Sequence, residues 1–382
     1  MKSAVLDAPG LAPYAQHAAD TRGRRYPENE HAYHSVYQRD RDRIVHSRAF
    51  RRLEYKTQVF VNHEGDHYRT SLTHSIEVSQ IGRTVARALS LNEDFVESLA
   101  LSHDLGHAPF GHLGEEVLDR LLADAGGFDH NRQTLRVVEK LERRYPHFPG
   151  LNLSWELREG IAKHSGPIDV GRAPEFAAYE PDQQPPIEAQ LIDLVDEIAY
   201  NHHDIDDGLE SGLLDSDALR AAVPLFGNAW QEAIAKFPEA RPAELRHAAL
   251  RRMIDRLVTD LIEATRERVA AAGVESIEDV RRCEQALAGL STVVAEENRV
   301  LKAYLREHLY RHLHIERMMD KARRILTALF ERYVDNPRLL PFTLDEVDGA
   351  KPRRRIADYI AGMTDRFANQ EYRRLFLPDP GL

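Results

Sequence analysis

The amino-acid sequence predicts an all-α protein built around one helical core, and two observations carry this fold class. Apolar residues recur at helical spacing over long stretches, as at Val78, Ile81 and Val85 in the segment 71–90. Strand signals are scarce, and the clearest is the segment 57–70, in which two short extended runs flank the letters HEGD. We therefore expect helices throughout, with one small β-hairpin at residues 57–70.

The helices of the N-terminal half are placed by their start and stop signals. The periodic segment 71–90 is the first long helix. A second is predicted over residues 92–105, because Asn92 is a favourable N-cap and Gly106 is a favourable stop. A third helix is predicted to begin near Leu113.

The rest of the chain is predicted to consist of long helices separated by two loops. Residues 187–207 follow two consecutive prolines and are periodic, and residues 243–271 and 276–333 continue the helical pattern. Residues 165–186 contain five prolines and two glycines, which is typical of a long loop. Residues 335–352 are predicted to form the second loop.

Composition narrows the class of protein. The chain is 42% hydrophobic and 30% charged, and no apolar run approaches the roughly 20 residues that span a bilayer. The N-terminal residues carry no secretory signal, and the single cysteine, Cys283, cannot form an internal disulfide. The net charge of −11 argues against a general nucleic-acid coat protein. We expect a cytoplasmic protein without a membrane partner.

One segment departs from this acidic balance. Residues 39–56 are rich in arginine, and Ile44, Val45, Phe50 and Leu53 would form the apolar side of an amphipathic helix. Its arginines then face either solvent, as most charge runs do, or a cleft.

A run of histidines provides the strongest chemical signal. The segment LSHDLGHAPFGH contains the adjacent pair His103 and Asp104 at the end of the second helix. His74 lies on the preceding helix, and Asp196 interrupts an apolar helical stretch, where a carboxylate is costly to bury without a cation. Two imidazoles and two carboxylates suit Mn, Fe, Mg, Co, Ni or Zn. Ordinary packing of each histidine, or pairing of Asp196 with Arg158, remains open on the residues alone.

The ordered pattern H…HD…D resembles the HD superfamily of metal-dependent phosphohydrolases. The resemblance extends to the bacterial deoxyguanosinetriphosphate triphosphohydrolase (dGTPase) family through four segments, in order FRRLEYKTQVF, RTSLTHSIEVSQIGR, HDLGHAPFGHLGE and DYIAGMTDRFA. These segments span residues 50–368. The resemblance implies a single dGTPase-like domain over residues 1–382, with an HD core at 50–210 and a helical C-terminal extension at 211–382.

The family relation also implies an activity and a metal. Enzymes of this kind hydrolyse a deoxynucleoside triphosphate (dNTP) to the deoxynucleoside and inorganic triphosphate. His74, His103, Asp104 and Asp196 match the residues that hold the metal. Mn²⁺ or Mg²⁺ is expected, and Co²⁺, Ni²⁺, Fe²⁺ and Zn²⁺ are compatible.

Further residues match the family's catalytic groups. His112 matches the catalytic histidine and Glu115 its acidic partner, and one helical turn would place them side by side. His112 would act as a general acid on the leaving 5′-oxygen, since a neighbouring carboxylate favours the imidazolium form. His107 is a second catalytic candidate. His107 and His130 match histidines that contact the phosphates.

The remaining matches concern substrate and partners. Tyr200 would pack on the deoxyribose, Asp204 would accept from the 3′-hydroxyl, Gln58 would lie near the sugar and base, and Arg51 would contact phosphate. A second dNTP as effector, and assembly into a homo-hexamer or another homo-oligomer, are implied as well. Single-stranded nucleic acid is a partner to which no motif points. The alternatives are an HD phosphohydrolase that acts on another nucleotide and a non-catalytic nucleotide sensor.

Overall fold

Helices account for nearly all regular structure in the computed structural model, which describes residues 9–29, 31–56, 69–166, 168–171, 173–344 and 351–378. In this part of the chain β-structure is limited to isolated bridges between Arg24 and Ser154 and between Arg143 and Gly150. The predicted all-α class is therefore confirmed. The hairpin predicted at 57–70 stays a prediction, because residues 57–68 lie outside the described residues.

The described residues form the following α-helices, in chain order: α1 (Val36–Val45), α2 (Arg48–Arg52), α3 (Ser71–Ala88), α4 (Glu93–Ser102), α5 (Gly111–Leu121), α6 (His130–Arg136), α7 (Trp155–Ala162), α8 (Ile187–Glu210), α9 (Ser216–Ala222), α10 (Pro224–Lys236), α11 (Pro242–Ala272), α12 (Ile277–Arg282), α13 (Thr292–His308), α14 (Leu313–Asp335), α15 (Pro352–Ala361) and α16 (Asp365–Phe376). A π-helical turn at Val137–Leu141 follows α6, and a 3-10 helix at Pro174–Tyr179 lies within the loop predicted at 165–186.

Most predicted helix boundaries agree with the structure to within a few residues. Asn92 caps α4, because its side chain accepts the Phe95 N–H at 3.2 Å. The periodic segment 276–333 is divided into three helices instead of one run. New N-caps mark the division, since Ser291 caps the start of α13 and His312 caps the start of α14.

The basic segment 39–56 is amphipathic as expected, although it forms the two helices α1 and α2. Ile44, Phe50 and Leu53 are buried in the core, whereas Val45, the last residue of α1, is exposed, so its predicted place on the apolar side is wrong. No helix among the described residues is long and apolar enough to cross a membrane.

Two hydrophobic clusters organise these helices. The larger one includes buried side chains of α3, α4 and α8, and α11 and α13 pack against α8. The smaller one joins α5 to the C-terminal helices α14, α15 and α16. A segment from the N-terminal half therefore shares its core with the end of the chain. The division into an HD core at 50–210 and an extension at 211–382 stays a prediction.

Candidate active site

A cleft of about 800 Å³ lies where the two clusters meet. Its walls come from α3, the turn after α4, the first turn of α5, α6, α8 and α14. Histidines and carboxylates from distant parts of the chain line it, together with Tyr200, Phe110 and Tyr310. A deep cleft with converging polar groups is the usual form of an active site.

The predicted metal ligands converge at one wall of the cleft. His74 Nε2 lies 2.7 Å from Asp196 Oδ1 and 4.0 Å from Asp104 Oδ2. His103 Nε2 lies 3.1 Å from Asp104 Oδ1 and 3.7 Å from Asp196 Oδ1. Ligands that each sit about 2.1 Å from one ion are separated by about 3 Å, so these spacings suit a shared cation.

His103 presents a free ring nitrogen to this position. His103 Nδ1 lies 2.7 Å from the carbonyl of Ala100, and donation there leaves Nε2 as the coordinating atom. The buried Nε2 of His103 has no hydrogen-bond partner. The alternative pairing of Asp196 with Arg158 is wrong, because Arg158 pairs with Glu139 at 3.0 Å.

The electrostatics of the cluster also suit a cation. Burial raises the pKa of the Asp104 carboxyl, but the imidazoles of His103 and His107 outweigh burial and hold that pKa well below its ordinary value. Burial also raises the pKa of Asp196, but the neighbouring imidazoles of His103 and His74 outweigh burial and hold that pKa below its ordinary value. Burial lowers the pKa of His103, but Asp104 and Asp196 raise it to about 9.

Two glycines let the backbone turn from the metal ligands to the next helix. A Cβ on Gly106 would lie 2.2 Å from the backbone nitrogen of Thr134 and 2.3 Å from the carbonyl of His130. Gly111 has φ 61° and follows Phe110, which has φ 66°. The left-handed conformation at these two positions reverses the chain just before His112.

His112 and Glu115 lie on the first turns of α5, as predicted, but Glu115 is shared. Its Oε2 is 3.7 Å from His112 Nδ1 and 3.0 Å from His130 Nδ1, and its Oε1 accepts the backbone N–H of His130 at 3.0 Å. The nearby Glu115 carboxylate raises the pKa of His112. His130 is buried, which lowers its pKa, but Glu115 raises it to about 9. His112 is 84% exposed and projects into the cleft.

His107 connects the two groups of residues. Its Nε2 lies 3.0 Å from Asp104 Oδ1, and its ring stacks on that of His130 with centroids 4.5 Å apart. Burial lowers the pKa of His107 more than the charge of Asp104 raises it. This histidine is therefore neutral near pH 7, next to a charged His130.

The far end of the cleft holds Tyr200 and Asp204 on α8. Asp204 accepts a hydrogen bond from the Tyr310 hydroxyl, and burial raises the pKa of this carboxyl to about 7. Burial also raises the pKa of Tyr200 above its usual range. Both tyrosines are therefore hydrogen-bond donors or packing surfaces at neutral pH.

Sequence reasoning missed a buried histidine on the same wall. His164 Nδ1 lies 2.5 Å from Asp193 Oδ1, and its ring is 5.3 Å from that of His103. His164 and Asp193 both line the cleft. No periodicity marks His164, since it follows α7 in a turn, and only its residue type could have drawn attention to it.

Two predicted substrate residues are not brought to the cleft by the described structure. Arg51 is exposed on α2 and is absent from the described residues that line the cleft. Gln58 lies outside the described residues. Their roles stay predictions.

Comparison with known proteins gives the family. Residues 71–201 match the HD domain, and residues 288–374 match the phosphohydrolase-associated domain. The chain is similar to a deoxyguanosinetriphosphate triphosphohydrolase-like protein of Geobacter sulfurreducens, with 51% identity over 98% of this chain and 97% of the relative. Proteins with the same name from Thiobacillus denitrificans and Bordetella pertussis are 50% and 48% identical, each over 96% of this chain and 98% and 96% of their own lengths.

The HD match contains all four converging ligands, and HD domains are metal-dependent hydrolases. Relatives at about half identity cover almost the whole chain, which leaves no large part of it unassigned. The chain therefore belongs to the family of deoxyguanosinetriphosphate triphosphohydrolase-like proteins, which are HD-domain phosphohydrolases.

Proposed function

We propose that the protein hydrolyses deoxynucleoside triphosphates, dGTP or several dNTPs, to the deoxynucleoside and inorganic triphosphate. One observation carries the proposal: the donors His74, Asp104 and Asp196 line the same cleft as His112. His103 and Glu115 lie directly behind them, in contact with Asp104 and His112 respectively. In this reaction water adds to the α-phosphorus, the bond from phosphorus to the 5′-oxygen breaks, and the leaving oxygen takes up a proton.

The four-donor set would hold the divalent ion, with Mn²⁺ or Mg²⁺ expected and Co²⁺, Ni²⁺, Fe²⁺ or Zn²⁺ compatible with mixed nitrogen and oxygen ligands. When bound, the ion supplies charge that stabilises the phosphate in the transition state. Asp196→Ala removes a charged donor, so both bound metal and turnover should be lost. Metal analysis of the purified variant is the test. Full metal occupancy with normal activity would remove Asp196 from the site.

His112 is the proposed proton donor. It projects into the cleft, and Glu115 favours its protonated form. His130 shares that carboxylate and carries a raised pKa, so it presents positive charge to the phosphates. His107, held by Asp104, would contact the phosphates from the side of the metal ligands.

The deoxyribose would lie at the other end of the cleft. Tyr200 would pack where a 2′-hydroxyl sits, and Asp204 would accept from the 3′-hydroxyl. Tyr310 donates to Asp204 and fixes the direction of that carboxyl group. Ribonucleotides should therefore be poor substrates, because one excluded hydroxyl can change binding by several kcal/mol.

Product analysis tests this function directly. Each dNTP and GTP is incubated with the protein and Mn²⁺ or Mg²⁺, and the products are separated by ion exchange. We expect release of triphosphate and deoxynucleoside, with dGTP preferred to GTP in kcat/KM. Orthophosphate or a monophosphate as product would favour an HD phosphohydrolase on another nucleotide. Binding without turnover would favour a nucleotide sensor.

The effector that the family relation implies has a candidate site elsewhere. A second cleft of about 670 Å³ is lined by Arg48, Arg52, Lys140 and Arg355, which suit a triphosphate. Incubation of dNTPs in pairs tests this proposal. Activation of one dNTP's hydrolysis by another should disappear in Arg48→Ala with the basal rate unchanged. Absence of activation in every pair would contradict an effector role. Assembly into a homo-oligomer stays a prediction.

A further inference from the structure

The turn between His107 and His112 directs both catalytic histidines, yet it has no stabilising element of its own. Phe110 and Gly111 are both left-handed, and this conformation is unfavourable for a phenylalanine. Phe110 is also the N-cap position of α5, where its side chain offers no capping hydrogen bond. Something outside the turn must therefore hold it.

Asp365 provides the first outside contact. Its Oδ1 accepts the backbone N–H of Phe110 at 2.8 Å, and only 3% of Asp365 is exposed. Asp365 is the first residue of α16, so the C-terminal end of the chain supplies a hydrogen bond at the start of α5.

Lys56 provides the second contact. Its Nζ donates to the carbonyl of His107 and, at 2.9 Å, to the carbonyl of Ala361 in the last turn of α15. Lys56 is 2% exposed, and a helix C-terminus favours a nearby cation. Burial and the charge of Arg52 lower the pKa of Lys56 to about 7, and the charge of Asp365 acts in the opposite direction. Lys56 therefore ties the start of the turn to the same C-terminal segment.

We propose that Lys56 and Asp365 are positioning residues of the catalytic site, which fix the turn 107–111 from both ends and so set the direction of His112 into the cleft. Neither touches the cleft, and neither belongs to the metal set or to the groups that contact substrate. The C-terminal segment 361–365 thereby becomes part of the catalytic apparatus. The expected change in kcat rests on the proposed function, whereas the expected change in the position of His112 does not.

Asp365→Ala tests the proposal, with two matched variants. Asp365→Asn keeps an oxygen that can accept the Phe110 N–H. Thr364→Ala removes the neighbouring N-cap, whose side chain accepts the Phe367 N–H at 3.1 Å, and so weakens α16 without altering the turn. Asp365→Ala should lower kcat by about 10- to 100-fold with little change in KM, since small displacements of catalytic groups have effects of this size. Asp365→Asn should recover most of the rate, and Thr364→Ala should retain it.

A readout that requires no turnover separates this inference from the proposed function. The pKa of His112, measured by NMR titration of histidine-labelled protein, should fall toward 6.5 in Asp365→Ala. Without the contact to Phe110, the first turn of α5 no longer holds His112 at a fixed distance from Glu115. It should not change in Thr364→Ala. If wild-type protein hydrolyses no dNTP but this fall is seen, the proposed function fails and the positioning role stands.

Lys56→Met is the second test, because it keeps the length of the side chain and removes the donors. At temperatures below its unfolding transition it should show the same fall in kcat and in the pKa of His112, with bound metal retained. Should this variant not fold, the Asp365 series decides. The proposal is overturned if kcat and the pKa of His112 in Asp365→Ala equal those in Thr364→Ala.

Discussion

Glu115 divides one carboxylate between two imidazoles. It contacts His130 more closely than His112, and it also accepts the backbone N–H of His130. Burial raises the pKa of Glu115, but the two histidines outweigh it and hold the carboxyl ionised. The same negative charge therefore favours the protonated forms of exposed His112, the proposed acid, and of buried His130.

His112→Ala should retain the metal and lose most of the chemistry. The proposed metal set lies on α3, in the turn after α4 and on α8, and it does not include His112, so the ion should stay bound. Loss of a general acid costs roughly 10²–10⁴-fold, and the loss should appear in kcat more than in KM. Steady-state kinetics with metal quantitation decides this. A near-normal kcat would transfer the acid role to His107 or His130.

Glu115→Gln should shift the pH dependence of kcat. His112 must be protonated to act as an acid, so activity falls as the pH rises above its pKa. Glu115 raises that pKa, and its removal should move the falling limb of the kcat profile to lower pH. The overall loss should be smaller than in His112→Ala. Glu116→Gln, one residue away and exposed, is the matched control and should leave the profile unchanged. An unshifted limb in Glu115→Gln would remove Glu115 from this role.

At the scale of single residues, the sequence identified the metal donors because the HD pair has a fixed place at the end of a helix. It did not identify His164 or Tyr310, whose contacts with Asp193 and Asp204 join separate helices or loops. Nor did spacing show that Glu115 binds His130, since this contact depends on how α6 lies against α5. Local periodicity carries no information about such contacts.

Among the secondary-structure elements, the approach of α6 to the turn after α4 determines the shape of the site. Gly106 makes this approach possible, and its N–H donates to Thr134 Oγ1 at 2.9 Å. From the sequence, Gly106 is expected to stop the helix and to let the backbone bend round the site. Its further role, close packing against a neighbouring backbone, required the structure.

Gly106→Ala should be strongly destabilising. The added Cβ would meet backbone atoms of Thr134 and His130, which cannot move independently of α6. Overpacking of this kind costs typically 1–3 kcal/mol and sometimes more. Urea unfolding gives the loss, and Gly273→Ala is an informative comparison, because its Cβ would meet no atom within 4 Å and only the left-handed φ of 61° opposes it. A loss in Gly106→Ala no larger than that in Gly273→Ala would contradict the close backbone approach as the cause.

Across the whole molecule, the catalytic groups are divided between the two hydrophobic clusters. The helices that carry the metal donors pack in the larger cluster, whereas α5, with His112 and Glu115, packs with α14 in the smaller one. The sequence predicted the helical class and most helix positions, because periodicity and caps are local. It could not predict that α5 joins the C-terminal helices, because this association depends on contacts between residues about 200 positions apart.

Leu326→Ala should therefore reduce catalysis from a position that touches no substrate. Leu326 is fully buried on α14, in the cluster that supports α5, and its truncation should cost about 2–5 kcal/mol. Leu257→Ala is the matched control, since Leu257 is equally buried on α11, which carries no residue of the site. At a temperature where both variants are folded, we expect Leu326→Ala to lower kcat with bound metal unchanged, and Leu257→Ala to keep both. Because the two losses of stability are comparable, a fall in kcat confined to Leu326→Ala would mean that α14 keeps His112, the proposed proton donor, in position relative to the metal site. Identical kcat values would instead mean that α5 keeps its position without α14.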